Sequence, residues 1–276
     1  MPTIENLLNS ADLPGSPSPR LDAEWLLAAA LGKPGSYLRT WPEREVPEAV
    51  AARFAADLAR RRAGEPVAYI LGRQGFWSLD LEVAPATLIP RPDTELLVES
   101  ALALLPATDA AVLDLGTGTG AIALALATER PAWQLTGVDR VAEAVALAER
   151  NRLRLGLGNA AFLQSDWFVA LDGRRFDLIA SNPPYIAADD PHLARGDVRF
   201  EPASALVAGA DGLDDIRRIV AEAPEHLKAG GWLLLEHGFE QAGAVRALLA
   251  ARGFVEVHSR RDLGGHERIS LGRLPA

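Results

Sequence analysis

The 276-residue chain contains no cysteine, which excludes disulfide bonds, thiolate nucleophiles and thiolate metal ligands. No apolar run approaches the roughly 18–20 residues that a membrane-spanning helix needs, so we expect no association with a membrane. The N-terminal segment also lacks the basic start and apolar stretch of a secretory signal. These absences together predict a protein that works in the cytoplasm.

An excess of positive charge is missing as well. The chain has 28 Lys and Arg against 37 Asp and Glu, a formal net charge of −9, and residues 1–74 carry nine of each kind. Such a balance gives no general attraction to phosphate backbones, so we expect no direct nucleic-acid partner. The five histidines show no ligand spacing, which predicts that no metal is bound. We expect the chain to act as a monomer.

Residues 1–74 are predicted to form a small helical domain that recognises the substrate. One face of the helix "LDAEWLLAAALG" collects four apolar residues, Leu21, Trp25, Leu26 and Ala29. Gly32 is expected to end this helix. A later helix ends in the basic run Arg60 to Arg62. We interpret the run as a solvated helix C-terminus favoured by the macrodipole, with a phosphate- or ribosome-facing patch as the alternative.

The remaining sequence predicts a linker and a larger α/β domain. The stretch "GFWSLDLEV", which begins at Gly75, alternates apolar and polar side chains, and we interpret residues 75–90 as a β-hairpin linker. In residues 91–276, Asp93-Thr94 starts a helix, and strands then alternate with helices, as in a parallel sheet covered on both faces. Only a short loop joins the last two strands, so one strand near the edge should be antiparallel. We therefore predict a Rossmann-like sheet with a small N-terminal helical bundle.

A glycine loop follows the first strand of this sheet. Gly116, Thr117, Gly118, Thr119 and Gly120 make up the loop. Glycines there let the backbone approach a ligand and take positive φ, and the helix that follows adds unpaired N–H groups. Its spacing also fits the dinucleotide fingerprint. Asp139, at the end of the next strand, can accept both hydroxyls of a ribose. Loop and carboxylate together predict an adenosine-containing cofactor and no more.

The third strand ends in Asp166 and Trp167. Asp166 can accept from the adenine amino group, and Trp167 can lie against the adenine ring, although a tryptophan beside a strand end is often simply part of the core. Ligands of such sheets lie beyond the carboxyl ends of the strands. Because three strand ends supply suitable groups at one edge, we expect one shared cofactor site.

The fourth strand ends in Asn182-Pro183-Pro184-Tyr185, which we call the Asn-Pro-Pro-Tyr corner. It resembles the (Asp/Asn/Ser)-Pro-Pro-(Tyr/Phe/Trp) signature of enzymes that methylate a planar, conjugated nitrogen with S-adenosylmethionine. Together with the glycine loop, Asp139 and Asp166-Trp167, this resemblance moves the expected cofactor from NAD to S-adenosylmethionine. It also implies the sheet of the class I S-adenosylmethionine-dependent methyltransferases.

The chemistry of methyl transfer explains the residue types of the corner. A conjugated nitrogen is a poor nucleophile, so the protein's task is positioning and charge stabilisation. The Asn182 side-chain oxygen can accept one N–H of the substrate, and the Pro183 carbonyl the other. Pro183 and Pro184 fix φ and hold these acceptors rigidly. Tyr185 can stack on the flat substrate group, and no general base is required.

Longer stretches resemble the peptide chain release factor glutamine N5-methyltransferases of bacteria, the HemK/PrmC type. They are "EPVAYILGRQGFWSLDLEVAPATLIPRPDTELLVE", "SNPPYIAADDPHLARGDVRFEP", "LLLEHG" and "RDLGGHERISLGR". The resemblance implies methylation of the glutamine in the Gly-Gly-Gln motif of class 1 release factors, with S-adenosylhomocysteine as product, which tunes translation termination. It implies that Gly116–Gly120, Asp139, Trp167 and Asn182 contact the cofactor, and that Asn182–Tyr185 hold the glutamine. The N-terminal domain is then expected to grip the release factor.

Two other functions remain open at this point: adenine N6-methylation of nucleic acid, and a non-catalytic module that binds a release factor or the cofactor. Two further groups of residues also have open roles. Arg91 and Glu201 either organise the cleft or serve as a buried salt bridge or helix start. For Glu236-His237 we favour a structural role over an acid–base pair, because the reaction needs no histidine base.

Overall fold

The computed structural model describes all 276 residues and divides them into two compact units. The first unit comprises Met1–Arg73 together with Pro191–Phe200, and the second comprises Gln74–Asp190 and Glu201–Ala276. The sequence-based division did not assign residues 191–200 to the N-terminal part. None of the helices combines the length and the apolarity needed to cross a membrane.

The first unit is a small bundle of helices around its own apolar core. Its helices are α1 (Ile4–Asn9), α2 (Pro19–Leu31), α3 (Gly35–Thr40), α4 (Glu48–Arg62) and α5 (Val67–Leu71), with 3₁₀ turns at Pro191–Ala194 and Val198–Phe200. Gly32 ends α2 at φ 63°, as predicted, because a residue without Cβ adopts the left-handed conformation at low cost. Phe54, Leu26 and Leu27 are among its fully buried side chains.

The predicted apolar face of α2 is partly wrong. Leu26 is buried, but Leu21 and Trp25 are 43% and 49% exposed. The helix instead turns Asp22 inward, and that side chain is 4% exposed. A charged residue lies on the core face because a partner inside the bundle neutralises it.

That partner is Arg61, whose Nε donates to Asp22 Oδ2 at 2.7 Å. Its Nη1 donates to Asp197 Oδ1, also at 2.7 Å, so the guanidinium is engaged on both sides. Both interpretations of the basic run are therefore wrong for Arg61, which is neither solvated nor available to a phosphate. Arg60 pairs with Glu65. A basic residue at a helix end is normally exposed, and here the buried carboxylate of Asp22 reverses that preference for Arg61.

The second unit begins with the hairpin and continues into a seven-stranded sheet. The hairpin strands are β1 (Arg73–Phe76) and β2 (Leu79–Glu82), close to the predicted linker. The sheet strands are β3 (Ala111–Leu115), β4 (Gln134–Asp139), β5 (Ala160–Gln164), β6 (Phe176–Ser181), β7 (Leu227–Glu236), β8 (Val255–Arg261) and β9 (Glu267–Arg273). The helices are α6 (Glu95–Leu104), α7 (Ala121–Glu129), α8 (Ala142–Leu155), α9 (Asp214–His226) and α10 (Ala242–Ala251), with 3₁₀ turns at Pro92–Thr94 and Ala203–Ala205.

The sheet order is β5-β4-β3-β6-β7-β9-β8, and β9 runs antiparallel to both of its neighbours. This confirms the predicted mostly parallel sheet with one antiparallel strand near the edge. Alternate residues of each central strand enter two separate apolar clusters, so that Val112 and Leu178 face one way and Leu113 and Ile179 the other. Helices cover both faces, as a strand that is apolar on both sides requires.

Parallel strands bring their carboxyl ends to one edge of the sheet. In the register, Leu115 of β3 pairs with Ser181 of β6 on one side and with Val138 of β4 on the other. The glycine loop, Asp139 and Asn182 therefore follow directly from three adjacent strand ends. β7, on the other side of β6, brings Glu236 to the same edge.

Candidate active site

A cleft of about 880 Å³, its open mouth included, lies at this edge of the sheet. Nine of the predicted site residues line it: Gly116, Thr117, Gly118, Thr119, Asp139, Asp166, Trp167, Asn182 and Pro184. Gly120, Pro183 and Tyr185 do not line it. The cleft also includes residues that the sequence did not single out as site residues, among them Thr87, Thr94, Ser165 and Ser204.

The glycine loop has a left-handed backbone at Gly116, Gly118 and Gly120. A Cβ at Gly120 would lie 2.9 Å from Leu124 Cδ1 and 3.1 Å from the Phe162 ring, so a larger residue there would displace these side chains in addition to straining the backbone. At Gly118 the nearest atom to such a Cβ is 3.9 Å away, and this residue lines the cleft. Gly120 thus lets the loop pack closely against its neighbours, and Gly118 leaves the backbone accessible to a ligand.

Asp114, the fourth residue of β3, stabilises the glycine loop through hydrogen bonds. Its Oδ2 accepts from Thr117 Oγ1 at 2.7 Å and from Ala123 N at 3.2 Å. Burial raises the pKa of this carboxyl to about 7, and the Thr117 and Ala123 hydrogen bonds oppose that rise. Asn151 of α8 donates to the Thr119 carbonyl at 3.0 Å from the other side. The loop is thus a pre-formed cradle of backbone groups.

Asp139 is half-buried at the end of β4 and belongs to the same cradle. Its Oδ2 accepts from Gly118 N at 3.0 Å, and its Oδ1 accepts from Val141 N at 2.9 Å. A carboxylate has about four lone-pair positions, so each oxygen can accept one more hydrogen bond. Two free positions facing a cleft suit a pair of neighbouring hydroxyls.

Asp166 and Trp167 form the turn after β5. Trp167 adopts φ 51°, a left-handed conformation that costs a residue with Cβ about 1–2 kcal/mol. The Ser165 hydroxyl stabilises this turn by donating to the Trp167 carbonyl at 2.8 Å and accepting from Ala170 N at 3.0 Å. The ring is buried and yet lines the cleft. Asp166 forms an exposed ion pair with Arg218 at 2.9 Å.

The Asn-Pro-Pro-Tyr corner is anchored at both ends. Before it, Ser181 Oγ donates to the Leu115 carbonyl at 2.8 Å, which ties the corner to the end of β3. After it, the Tyr185 carbonyl accepts from Gln241 Nε2 at 3.0 Å. Asn182 Nδ2 donates to Thr94 Oγ1 at 3.1 Å. With its nitrogen held, the amide of Asn182 keeps Oδ1 available as an acceptor.

Glu236 lies behind the corner at the end of β7. It is 1% exposed, and Tyr185 Oη donates to its Oε1 at 3.4 Å. Burial raises the pKa of Glu236 to about 7, and the nearby Asp93 carboxylate raises it further. The Thr94 and Tyr185 hydroxyls and the charge of Arg268 oppose this rise. Glu236 Oε2 has no hydrogen-bond partner. Burial likewise raises the pKa of Tyr185, which stays a neutral donor.

His237 does not pair with its neighbour Glu236. Its Nδ1 lies 2.9 Å from the Gly238 carbonyl, and its Nε2 lies 2.8 Å from Ser270 Oγ. Burial lowers the pKa of this histidine, which keeps the ring neutral. Both ring nitrogens are therefore used inside the fold, away from the cleft.

Arg91 and Glu201 form one ion pair, in which the Glu201 side chain is completely buried. This geometry agrees with the buried salt bridge among the alternatives. The fold brings together no group of three His, Asp or Glu side chains that could hold a metal ion.

Comparisons with known proteins identify the family. The PrmC N-terminal domain matches residues 4–72, and the methyltransferase small domain matches residues 92–210. The release factor glutamine methyltransferase of Pseudomonas aeruginosa is 71% identical over 273 residues, which is 99% of this chain and 99% of that protein. That of Vibrio cholerae is 55% identical, over 98% of this chain and 96% of that protein. The chain belongs to the release factor glutamine methyltransferase family.

Solved methyltransferases share the fold of this family member. A methyltransferase from Pyrococcus furiosus superposes with a TM-score of 0.57 at 18% identity, covering 80% of this chain and all of that one. The 16S rRNA N2 G1207 methyltransferase of T. Thermophilus, solved in complex with AdoMet and guanosine, gives a TM-score of 0.52 at 22% identity. That match covers 73% of this chain and 49% of that one. At these identities the likeness shows the fold alone.

The sequence did not predict a site role for Thr94, which lines the cleft, or for Glu236, which accepts a hydrogen bond from Tyr185. Thr94 was interpreted as a helix start, and Glu236 as a structural strand end. A threonine at the start of α6 usually caps the helix, but Thr94 makes no side-chain cap hydrogen bond. The one available signal was a carboxylate at the end of an otherwise apolar strand.

Proposed function

We propose that this protein transfers a methyl group from S-adenosylmethionine to the side-chain amide nitrogen of a glutamine in a peptide chain release factor. The observation that carries the proposal is the Asn182 amide, which lines the cleft, has its nitrogen held by Thr94 and has its oxygen left to accept. The names of relatives that are up to 71% identical over almost the whole chain support the same substrate.

The residues of the cleft suit S-adenosylmethionine. Gly118 offers an open backbone approach, and the Asp139 carboxylate has a free position on each oxygen for the ribose hydroxyls. Trp167 presents a buried ring and Asp166 a carboxylate at the far strand end, where an adenine would bind. The sulfonium supplies an activated methyl group, and S-adenosylhomocysteine is the product.

The protein's own contribution to the reaction is positioning. Asn182 Oδ1 accepts one N–H of the substrate amide, and the Pro183 carbonyl accepts the other. Two acceptors draw the nitrogen toward tetrahedral geometry and direct its lone pair, while the proton becomes acidic as the new N–C bond forms. Tyr185 stacks on the flat amide, and its raised pKa keeps the ring neutral. No basic side chain is needed to take the proton, and water can accept it.

The two ends of the chain divide the work. We assign recognition of the release factor to residues 1–74, adjustment to the hairpin linker 75–90, and catalysis to residues 91–276. The match of residues 4–72 to the PrmC N-terminal domain supports a separate role for the first part. We place the reaction in the cytoplasm, where release factors act, and expect a monomer with no direct nucleic-acid contact.

Labelled methyl transfer tests the proposal. Incubation of the full-length protein with methyl-labelled S-adenosylmethionine and a class 1 release factor should label the factor. Replacing the glutamine of its Gly-Gly-Gln motif by alanine should abolish the labelling. Persistent labelling of that factor would contradict the site, and transfer to DNA or RNA but not to the factor would contradict the substrate class.

A further inference from the structure

The orientation of the Asn182 amide decides whether the corner can accept a substrate N–H. A carboxamide has an acceptor end and a donor end of nearly the same shape, and rotation by half a turn exchanges them. With Oδ1 toward the substrate, the amide accepts an N–H. With Nδ2 toward the substrate, the two N–H donors of the amide would face the N–H donors of the substrate, and no hydrogen bond could form. Pro183 and Pro184 fix the backbone, but they do not select between these two orientations.

Thr94 is the group that meets the other end of the amide. Asn182 Nδ2 donates to Thr94 Oγ1 at 3.1 Å, and Thr94 is only 5% exposed. A hydroxyl can also donate, however, and a Thr94 proton directed at Asn182 would favour the reversed amide. The orientation of the Asn182 amide therefore depends on whether the Thr94 hydroxyl donates its hydrogen bond to Asn182 or to another acceptor.

Glu236 is the acceptor that we assign to the hydrogen bond donated by the Thr94 hydroxyl. Its Oε1 accepts from Tyr185 Oη at 3.4 Å, its Oε2 has no hydrogen-bond partner, and the residue is 1% exposed. The Thr94 hydroxyl lowers the pKa of this carboxyl, so the unpartnered Oε2 is the acceptor that we assign to it. An ionised carboxylate can only accept hydrogen bonds. It therefore accepts one from the Thr94 hydroxyl, which leaves a lone pair of Thr94 Oγ1 to accept from Asn182. Water cannot easily replace it because the site is buried. The hydroxyl of Thr94 is free for this use because it does not cap α6.

We propose that Thr94 and Glu236 are positioning residues that fix the Asn182 amide with its oxygen toward the nitrogen to be methylated. Asn182 donates to Thr94, and Tyr185 donates to Glu236 Oε1. The link that we add is donation by the Thr94 hydroxyl to the unpartnered Glu236 Oε2. This inference rests on the proposed function, because it specifies how that site orients its acceptor.

The charged and titratable groups that face Glu236 keep the carboxyl within reach of ionisation. Asp93, before α6, opposes ionisation, and Arg268 of β9 favours it. Tyr185 donates to the carboxylate, and the Thr94 hydroxyl lowers its pKa. With a pKa of about 7, a substantial fraction of Glu236 is ionised at neutral pH.

Paired substitutions at Thr94 test the proposal. Thr94→Val keeps the shape and removes the hydroxyl, whereas Thr94→Ser keeps the hydroxyl. At saturating cofactor and release factor, kcat should fall about 10- to 100-fold in Thr94→Val and stay within about threefold in Thr94→Ser. The calorimetric dissociation constant for S-adenosylmethionine should change less than about threefold in both. A loss of kcat without loss of cofactor affinity distinguishes positioning from damage to the cleft.

Paired substitutions at Glu236 test its proposed positioning role. Glu236→Met removes the acceptor and should lower kcat about 10-fold or more, whereas Glu236→Gln keeps an acceptor oxygen and should retain most activity. Because a buried carboxyl is costly, Glu236→Met should melt no lower than the control below. An equal loss in Glu236→Gln and Glu236→Met would instead make Glu236 a proton acceptor and overturn its positioning role.

Thr136→Val is the matched control. Thr136 is also buried in the second unit, and its hydroxyl accepts from Arg174 Nη2 at 2.7 Å, but it does not line the cleft. Its kcat should stay within about twofold of wild type. Unchanged kcat in Thr94→Val, or equal losses in Thr94→Ser and Thr94→Val, overturns the proposal. Absence of transfer by the wild-type protein overturns the proposed function instead, so the two failures are distinguishable.

Discussion

The glycine loop and the Asn-Pro-Pro-Tyr corner follow neighbouring strands, β3 and β6, and are built in opposite ways. The loop presents backbone, and Asp114 supports it at short range, through Thr117 three residues away and Ala123 nine residues away. Asp139 and Asn151 add contacts to the loop from 21 and 32 residues away. The corner presents a side chain, and its supports come from afar: Thr94 is 88 residues from Asn182, and Glu236 is 51 residues from Tyr185.

Each of the two sites nevertheless rests on one fully buried carboxyl. Burial raises the pKa of both Asp114 and Glu236 to about 7. The difference teaches that a backbone cradle takes its shape mainly from its own glycines, whereas a side-chain acceptor needs its orientation set by distant partners. We therefore expect changes in the loop to affect cofactor affinity and stability, and changes in the corner to affect the rate of the chemical step.

Removal of the acceptor should have the largest effect. Asn182→Ala is expected to lower kcat about 1,000-fold, because a group that binds mainly in the transition state is lost. The dissociation constant for S-adenosylmethionine should rise only a few-fold, since the glycine loop is untouched. Single-turnover methyl transfer and calorimetry measure the two quantities. A rate within threefold of wild type would contradict the mechanism.

The two buried carboxyls should make stability depend on pH. Their folded pKa values lie above the unfolded ones, so the native state binds more protons between about pH 4 and 7. The free energy of unfolding then falls as pH rises through that window, on the order of 3 kcal/mol for each group. Urea unfolding at pH 5, 6, 7 and 8 measures this.

Two substitutions separate the carboxyl contributions. Glu236→Gln should remove one part of the pH dependence, and Asp114→Asn the other. Differences from wild type cancel the contribution of groups such as His237, whose pKa burial lowers. If neither substitution changes the slope, the two carboxyls are ionised in the folded protein at pH 5.

A Cβ in the glycine loop should act mainly on stability. Gly120→Ala combines a left-handed φ of 84° with a 2.9 Å approach to Leu124, and should destabilise by about 2 kcal/mol. Gly156→Ala is the control, because Gly156 has φ 69° but no atom within 4 Å of a Cβ, so only backbone strain remains. Equal unfolding midpoints for the two variants would show that packing at Gly120 is unimportant.

Loss of the Asp139 charge should have the smallest effect. Asp139→Asn keeps the shape but exchanges one acceptor oxygen for a donor, which should weaken cofactor binding about 10-fold. The value of kcat at saturating cofactor should stay close to wild type. Asp177→Asn, at the opposite end of β6 and paired with Lys228, is a matched control. A drop in kcat as large as that of Asn182→Ala would erase the distinction between loop and corner.

Much of this architecture could be predicted from the sequence because its causes are local. Two-residue and helical periodicities predicted the alternating elements, and the short loop before β9 predicted the reversed strand, which the sheet confirms. Gly32 ended α2 as expected. The face of α2 and the role of Arg61 were wrong, because Asp22 is buried by a partner 39 residues away. The hydrophobic periodicity of a helix does not predict a buried ion pair with a residue that is distant in the sequence.

By itself, the sequence determined the sheet, the order of its strand ends and the residue types at its edge, since backbone conformation and alternation depend on near neighbours. It also identified the family through long matching stretches. Only the tertiary structure decided which side chains support the corner. Thr94 meets Asn182 and Glu236 meets Tyr185 because a parallel sheet gathers residues that are distant in the chain, and a hydrogen bond forms only where two polar atoms come close together.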